Sequence, residues 1–302
     1  MLDEFVWGRV SRISPEAPVP VVEVMSESAY PGGAANVARN LREFTAHADL
    51  VGTVGNDSAG TRLLALLNQR GIGTAGVLAS ASDQTIVKTR VIARQQQVVR
   101  VDRDSRASIT PETLLQIRKR LEPAIAATDA IIFADYGKGF LTQEVVDLIA
   151  CVARQRGIIM VVDPNPNNPI SWKGMTAIKP NRLETTAALG SPFDLDNDAT
   201  LAEAARSLQA KWATEIILIT LGDRGMWLFE RGNAPYHIAA RAKEVFDVSG
   251  AGDTAIALFT LALASGGTAT EAAEIANAAS GVVVGKLGTA TLTPAELMTS
   301  MA

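Results

Sequence analysis

The stretch Asp247-Val-Ser-Gly-Ala-Gly-Asp-Thr254 combines residue types and spacing that could do phosphate chemistry. Gly250, Ala251 and Gly252 lead into an apolar helical run, Ala255-Ile-Ala-Leu-Phe-Thr-Leu-Ala-Leu-Ala264. They are therefore expected at a helix N-terminus, where backbone N–H groups lack intrahelical partners and the dipole favours an anion. Glycine lets a phosphate approach the backbone closely. Asp253 falls in the first helical turn, beside that anion hole. Ser249 suits the cap position better, which leaves Asp253 to accept a proton from a hydroxyl that attacks phosphorus. A strand-like run ending at Val245-Phe246 leads in. Taken alone, the stretch also reads as a plain Gly-rich start of a helix.

A second glycine-rich turn, Gly32-Gly-Ala-Ala-Asn36, also opens a helix. Its glycines permit close backbone approach, and the Asn36 amide can both donate to and accept from hydroxyl groups. Further polar clusters end short apolar runs: Asp135-Tyr-Gly-Lys138, Asp163-Pro-Asn165, Lys179-Pro-Asn-Arg-Leu-Glu184 and Thr220-Leu-Gly-Asp-Arg-Gly225.

The elements that must position these groups fall into two kinds. Residues 8–25 read as extended chain, since Pro15, Pro18 and Pro20 forbid helix and suit edge strands. Residues 85–93 and 98–102 read as strands around a polar turn at 94–97. Together these are expected to form a small antiparallel sheet apart from the main body. Residues 49–54 read as a buried strand and 77–78 as another; a helix capped by Ser58 ends at Gly71. From Thr110-Pro111, a cap followed by an N1 proline, strands and helices alternate. Strands are expected at 130–134, 158–163, 176–179 and 215–221, with a hairpin near 226–239. Helices are expected at 143–155, 183–189 and 199–211, with 270–284 as the last. This pattern predicts an α/β fold, a mainly parallel sheet flanked by helices, with ligands beyond the carboxyl ends of the strands. The 302 residues are read as one domain that carries the small sheet as a clasp or lid.

The totals agree with an enzyme of small molecules. The chain is 47% hydrophobic and carries a net charge of −4, so no broad basic field invites nucleic acid. One cysteine, Cys151, and two histidines argue against a disulfide or a structural zinc site and fit a reducing cytoplasm. No apolar run reaches membrane-spanning length, and no leader signal opens the chain.

The Gly-Gly-x-x-Asn helix start, the Asn-x-x-Glu of Asn181-Arg-Leu-Glu184 and the Gly-Ala-Gly-Asp ending at Asp253 occur in that order. This order resembles the signatures of the ribokinase-like (PfkB) carbohydrate kinases, and the resemblance spans essentially the whole chain. It implies ATP as phosphoryl donor and Asp253 as the base that deprotonates a sugar hydroxyl. It implies an anion hole from the N–H groups of Gly250, Ala251 and Gly252. Glu184 would act on Mg²⁺ through water, and Asn181, with Arg182 and Leu183 in its motif, would lie near the nucleotide phosphates. Thr220, Gly222 and Gly225 would edge the adenosine site, and Asn277 would lie beside the adenine. A K⁺ ion near the anion hole is left open. A dimer through the clasp sheets is implied, and Val19, Val21, Val22 and Val24 would need a cover there.

Within the family, residues 8–22, 88–94, 100–103, 135–139 and 285–289 look like the bacterial D-glycero-β-D-manno-heptose-7-phosphate kinases. That resemblance implies transfer to the anomeric hydroxyl, giving the 1,7-bisphosphate of lipopolysaccharide core synthesis. Arg12, Ser14, Lys88, Arg90 and Arg103 would supply donors for a sugar phosphate, Arg by a bidentate grip. Each is also readable as a solvated strand residue. Asp3, Asp135 and Asp163, with Gly32, Gly33 and Asn36, would hold the sugar. The family's opening strand is not found ahead of Asp3, so a neighbouring edge is expected to be exposed and Asp3 to be held less securely. No second transferase motif follows, so the kinase step alone is expected. The alternatives are a PfkB-type kinase of another sugar and a nucleotide-binding regulator without turnover. A dehydrogenase would need Gly-x-Gly-x-x-Gly after its first strand, which this chain lacks.

Overall fold

The computed structural model describes residues 1–94, 96–125, 127–191, 193–241, 245–286 and 288–302. Two long strands, β1 (Leu2–Ile13) and β2 (Pro20–Pro31), open the chain as an antiparallel pair. They are followed by α1 (Ala34–Arg42), β3 (Asp49–Gly55), α2 (Ser58–Gln69) and β4 (Gly73–Ser80). The pair β5 (Val87–Ala93) and β6 (Gln96–Arg103) comes next, then α3 (Pro111–Ile125) and β7 (Ala130–Ala134). The remainder runs α4 (Gln143–Gln155), β8 (Ile159–Asp163), β9 (Ala177–Ile178), α5 (Arg182–Leu189), α6 (Asp198–Trp212), β10 (Ile216–Thr220), β11 (Met226–Glu230) and β12 (Tyr236–Ile238). Three helices close it: α7 (Ala251–Ala264), α8 (Ala269–Val283) and α9 (Pro294–Met301).

The main sheet has the order β12-β11-β10-β9-β8-β7. β7 to β10 are parallel, and β11 and β12 run antiparallel at the far edge. The parallel strands are short and apolar because both faces are covered. One face packs Phe133, Val162, Ile178 and Ile217 against α4 and α6. The other packs Val161, Ala177 and Leu218 against α7 and α8. α7 is apolar all round, as a helix buried in the core must be.

The four-stranded sheet has the order β2-β1-β5-β6. Its outer pairs are antiparallel, but β1 and β5 run parallel from Leu2↔Val87 to Gly8↔Ala93. The all-antiparallel expectation is therefore corrected: the two hairpins join side by side, and only their inner strands share a direction. β1 also begins at Leu2, well before residue 8. Leu2 and Phe5 are buried, and alternation over this short segment is masked by the partly covered outer face. β3 and β4 form a separate parallel pair. Residues of both β3 and β7 line an apolar slot of about 750 Å³, and neither strand has a further partner on that side among the described residues. Asp3, expected to be held less securely, is buried and paired.

Four local expectations need correction. α2 is capped by Asp57, whose side chain accepts from the Gly60 N–H, one residue ahead of Ser58. α7 starts at Gly250 with φ 85° and has no side-chain cap, so Ser249 does not fill that role. Val245 and Phe246 are exposed and not in a strand; the preceding residues 242–244 lie outside the described ones. α9 follows the helix expected to be last. Its Thr293-Pro294 start and the Thr293/Glu296 capping box repeat the Thr110-Pro111 signal.

Candidate active site

The strongest polar convergence lies where the carboxyl ends of β7, β8 and β9 meet the N-terminal ends of α1 and α7. Among the described residues seven helices have a side-chain cap: α2, α3, α4, α5, α6, α8 and α9. α1 and α7 instead begin at Gly33 and Gly250, both with positive φ and no side-chain cap. At α7, Ala251 N–H makes a long contact with the Val248 carbonyl, and Thr254 N–H bonds the Gly250 carbonyl. The N–H groups of Gly252 and Asp253 find no acceptor among the described residues. This is the local arrangement that receives an anion.

Asp253 stands in this turn with both carboxylate oxygens engaged. Asn36 Nδ2 donates to Oδ2 at 2.8 Å, and the Tyr136 hydroxyl donates to Oδ1. Burial raises its carboxyl to a pKa of about 6, against the pull of those two donors. Such a group is a proton acceptor near neutral pH.

The glycines are required by these protein groups. A Cβ on Gly250 would lie 2.9 Å from Asn36 Nδ2, and one on Gly33 3.2 Å from the Tyr136 ring. A Cβ on Gly32 would lie 1.9 Å from Asp3 Oδ2. The two glycine motifs therefore interlock with the acidic and amide side chains of the site.

Beneath this layer sits an ion pair between Asp163, expected to hold the sugar, and Lys179, which the sequence motifs contain without a role. Lys179, at the end of β9, bonds Asp163, at the end of β8, at 3.0 Å, and its side chain is 3% exposed. Burial works against its charge, but Asp163, Glu184 and Asp253 around it outweigh that and hold Lys179 cationic. Its ammonium lies 3.7 Å from where a Gly252 Cβ would be, below the mouth of the helix.

Asn181 caps α5. Its Oδ1 accepts from Glu184 N–H at 2.9 Å, while Glu184 accepts from the Asn181 N–H at 2.7 Å and from its Nδ2 at 2.8 Å. Thr220 forms a bridge with Asn181, so these nucleotide candidates do come together. Burial, then the charge of Asp163, pushes Glu184 up to about 7.

The other predicted residues divide clearly. Asp3 bonds Arg90 at 2.6 Å, close beside Gly32. Asp135 accepts from Gly137 N–H at 2.8 Å and from Asn168 at 2.9 and 3.1 Å. Arg182 turns outward to Asp196, and Leu183 is exposed. Gly225 is needed by the hairpin, since a Cβ there would lie 2.1 Å from the Ile238 carbonyl, whereas Gly222 faces open space. Asn277 is buried and donates to the Ala239 carbonyl at 2.8 Å. Lys88 pairs with Asp102, and Arg103 is exposed. Arg12 and Ser14 lie near the other end of β1, about 30 Å from Asp3 at an ordinary strand rise. They do not join the Asp253 cluster.

Tyr136, Lys179, Arg39 and Asn168 are the groups that motif reasoning missed. Tyr136 and Lys179 carried a usable signal, a polar residue within two positions of the end of a buried strand. Arg39 carried none: it lies inside α1, buried, and bonds Asn36 Oδ1 at 3.0 Å and the Thr289 carbonyl at 3.1 Å.

A parallel sheet with a carboxylate at a bare helix N-terminus defines a phosphoryl-transfer class of site. The pfkB family carbohydrate kinase model matches residues 3–296. The chain belongs to that family of sugar kinases. It is 44% identical over 301 residues to the Bifunctional protein HldE of Gluconacetobacter diazotrophicus, covering 100% of this chain and 62% of the relative. It is 43% identical over 297 residues to the Bifunctional protein HldE of Desulfatibacillum aliphaticivorans, covering 98% of this chain and 60% of the relative. The chain thus spans about three fifths of these relatives' length. Among solved structures it superposes on Escherichia coli phosphofructokinase-2 in complex with potassium. That match has TM-score 0.79 and 19% identity, covering 99% of this chain and 94% of the other. Arabidopsis thaliana ribokinase complexed with ribose and ATP gives TM-score 0.75 and 16% identity, covering 99% of this chain and 95% of the other.

Proposed function

We propose that this chain transfers the γ-phosphoryl group of ATP to the anomeric hydroxyl of D-glycero-β-D-manno-heptose 7-phosphate. The observation that carries the reading is Asp253 at the bare N-terminus of α7, with Lys179 beneath it. The heptose assignment rests on the motif resemblance of residues 8–22, 88–94 and 135–139 and is supported by the full-chain likeness to the HldE proteins.

In the reaction, the acceptor hydroxyl gives its proton to Asp253. Its oxygen forms a bond to the γ-phosphorus, the bond to the bridging oxygen breaks, and ADP leaves with that electron pair. The N–H groups of Gly252 and Asp253 face the charge on the transferring group, and Lys179 adds a cation below it. Glu184 fits a role toward Mg²⁺ through water. Each of its oxygens accepts one hydrogen bond and keeps a lone pair, and Asp163 adds a second negative charge nearby. When bound, Mg²⁺ supplies neutralisation of the phosphate charge.

The four-stranded sheet is read as a lid over the sugar. Lys88 and Arg90 would have to exchange Asp102 and Asp3 for the 7-phosphate, whereas Arg103 makes no ion pair among the described residues. The apolar outer residues of that sheet support a homodimer through it. Use of ATP and the exposed single Cys151 support a cytoplasmic setting. Among the described residues no helix is long and apolar enough to cross a membrane. The potassium named for the bacterial phosphofructokinase-2 makes K⁺ worth including in the assay.

The test is ADP release with Mg-ATP, with and without K⁺, against heptose 7-phosphate, ribose, fructose 6-phosphate and fructose 1-phosphate. Heptose 7-phosphate is expected to be preferred, with Asp253→Asn inactive. Preference for another sugar would overturn the substrate assignment. Equal turnover by Asp253→Asn would overturn the base.

A further inference from the structure

We propose that Tyr136 is a positioning residue for Asp253, its hydroxyl fixing the carboxylate's direction and favouring its negative form. The inference rests on the reading of Asp253 as base. The Tyr136 hydroxyl donates to Asp253 Oδ1 across 117 residues of chain. Three features fix the ring. Asp135 turns the backbone through its bond to Gly137 N–H, Asn168 holds Asp135 from the other side, and Gly33 offers a bare Cα for the ring to lie against. Asn36 takes the other carboxylate oxygen, and Arg39 fixes the orientation of the Asn36 amide by binding its Oδ1. With Oδ1 and Oδ2 each holding one donor, the carboxylate cannot rotate without breaking two bonds. Each oxygen keeps one lone pair for the acceptor proton.

A hydroxyl that donates to a carboxylate favours the ionised form, opposing the desolvation that burial imposes. The charged groups around the pair are Asp3 from β1, Asp163 from the end of β8, Lys179 from the end of β9 and Arg39 from α1. Burial and Asp163 work against the Asp253 charge, Lys179 and the two hydrogen bonds work for it, and Asp3 bears on Tyr136. Tyr136 itself remains protonated, because burial and then Asp253 raise it well above its ordinary value. It is thus a fixed donor, not a second base.

The experiment is a ¹³C-carboxyl NMR titration of aspartate-labelled protein, with Asp253 assigned by its loss in Asp253→Asn. In Tyr136→Phe the Asp253 midpoint is expected to rise by about one pH unit, the scale of one lost hydrogen bond to a charged group. Where turnover is measurable, the acid limb of kcat should move with it, while KM for ATP holds. An unchanged Asp253 midpoint in folded Tyr136→Phe overturns the proposal. Gly33→Ala keeps the hydroxyl but crowds the ring and should raise the midpoint in the same direction; if Tyr136→Phe does not fold, an unchanged midpoint in Gly33→Ala overturns it. A shifted midpoint in a protein that phosphorylates no sugar keeps Tyr136 and discards the kinase reading of the site. Sugar turnover with an unmoved midpoint does the reverse.

Discussion

Asp253 sets the expected pH dependence. A base must be deprotonated to act, and burial raises this carboxyl to about 6. Activity should therefore fall about tenfold per pH unit below 6, where an unperturbed aspartate would hold the rate down to about pH 4. A kcat/KM profile from pH 4.5 to 8 checks this, and a flat profile down to pH 5 would contradict it. Loss of the base in Asp253→Asn should cost about 10²- to 10⁴-fold in kcat, measured as ADP release. Lys179 makes a different prediction. Lys179→Met leaves Asp163 buried without its cation, which should cost about 3–5 kcal/mol in a urea unfolding series. Adding Asp163→Asn should recover part of that loss. If the single variant is as stable as the parent protein, the pair is not the support it looks to be. These residues differ in how legible they were. Asp253 could be read from four consecutive residues. Lys179 was visible in its motif, but its role depends on three carboxylates brought in from β8, α5 and α7.

The helices show the same division one level up. α7 could be placed from its apolar run and the glycines ahead of it, but its bare N-terminus could not, because Ser249 is an equally good cap on paper. Gly250 has φ 85°, and a Cβ would meet Asn36 on α1. Gly250→Ala should therefore both strain the turn and displace the Asn36 amide, lowering kcat more than it lowers melting temperature. α9 had a readable start that went unused. Thr293→Ala removes one half of its capping box and should destabilise the protein by about 1 kcal/mol, seen as a lower urea midpoint at unchanged slope. A change in the slope would mean that α9 unfolds apart from the rest.

Of the fifteen exposed large apolar residues among the described ones, seven lie on or beside the four-stranded sheet. Ile13, Val19, Val24 and Met25 lie on or beside its first hairpin, and Val98, Val99 and Val101 lie on β6. A dimer through this sheet would cover them. Sedimentation velocity at micromolar concentration should give twice the chain mass, and Val24→Asp with Val101→Asp should give one. A monomeric parent protein would remove the dimer from the reading and leave this face to be covered by lid closure alone.

Local rules were enough for much of this protein. Glycine before an apolar helix, proline after threonine and short apolar runs between helices act within a few residues, so sequence alone determined the α/β alternation and the position of Asp253. The pairing of β1 with β5 joins segments more than 80 residues apart, and no local pattern distinguishes parallel from antiparallel there. The same holds for the site. Asn36 reaches Asp253 across 217 residues and Tyr136 across 117. Hydrogen bonds of that range leave no periodicity in the chain, because each partner's conformation is set by its own strand or helix. Only the packing of α1, β7 and α7 around one point decided which side chains hold the carboxylate and how strongly it keeps its proton.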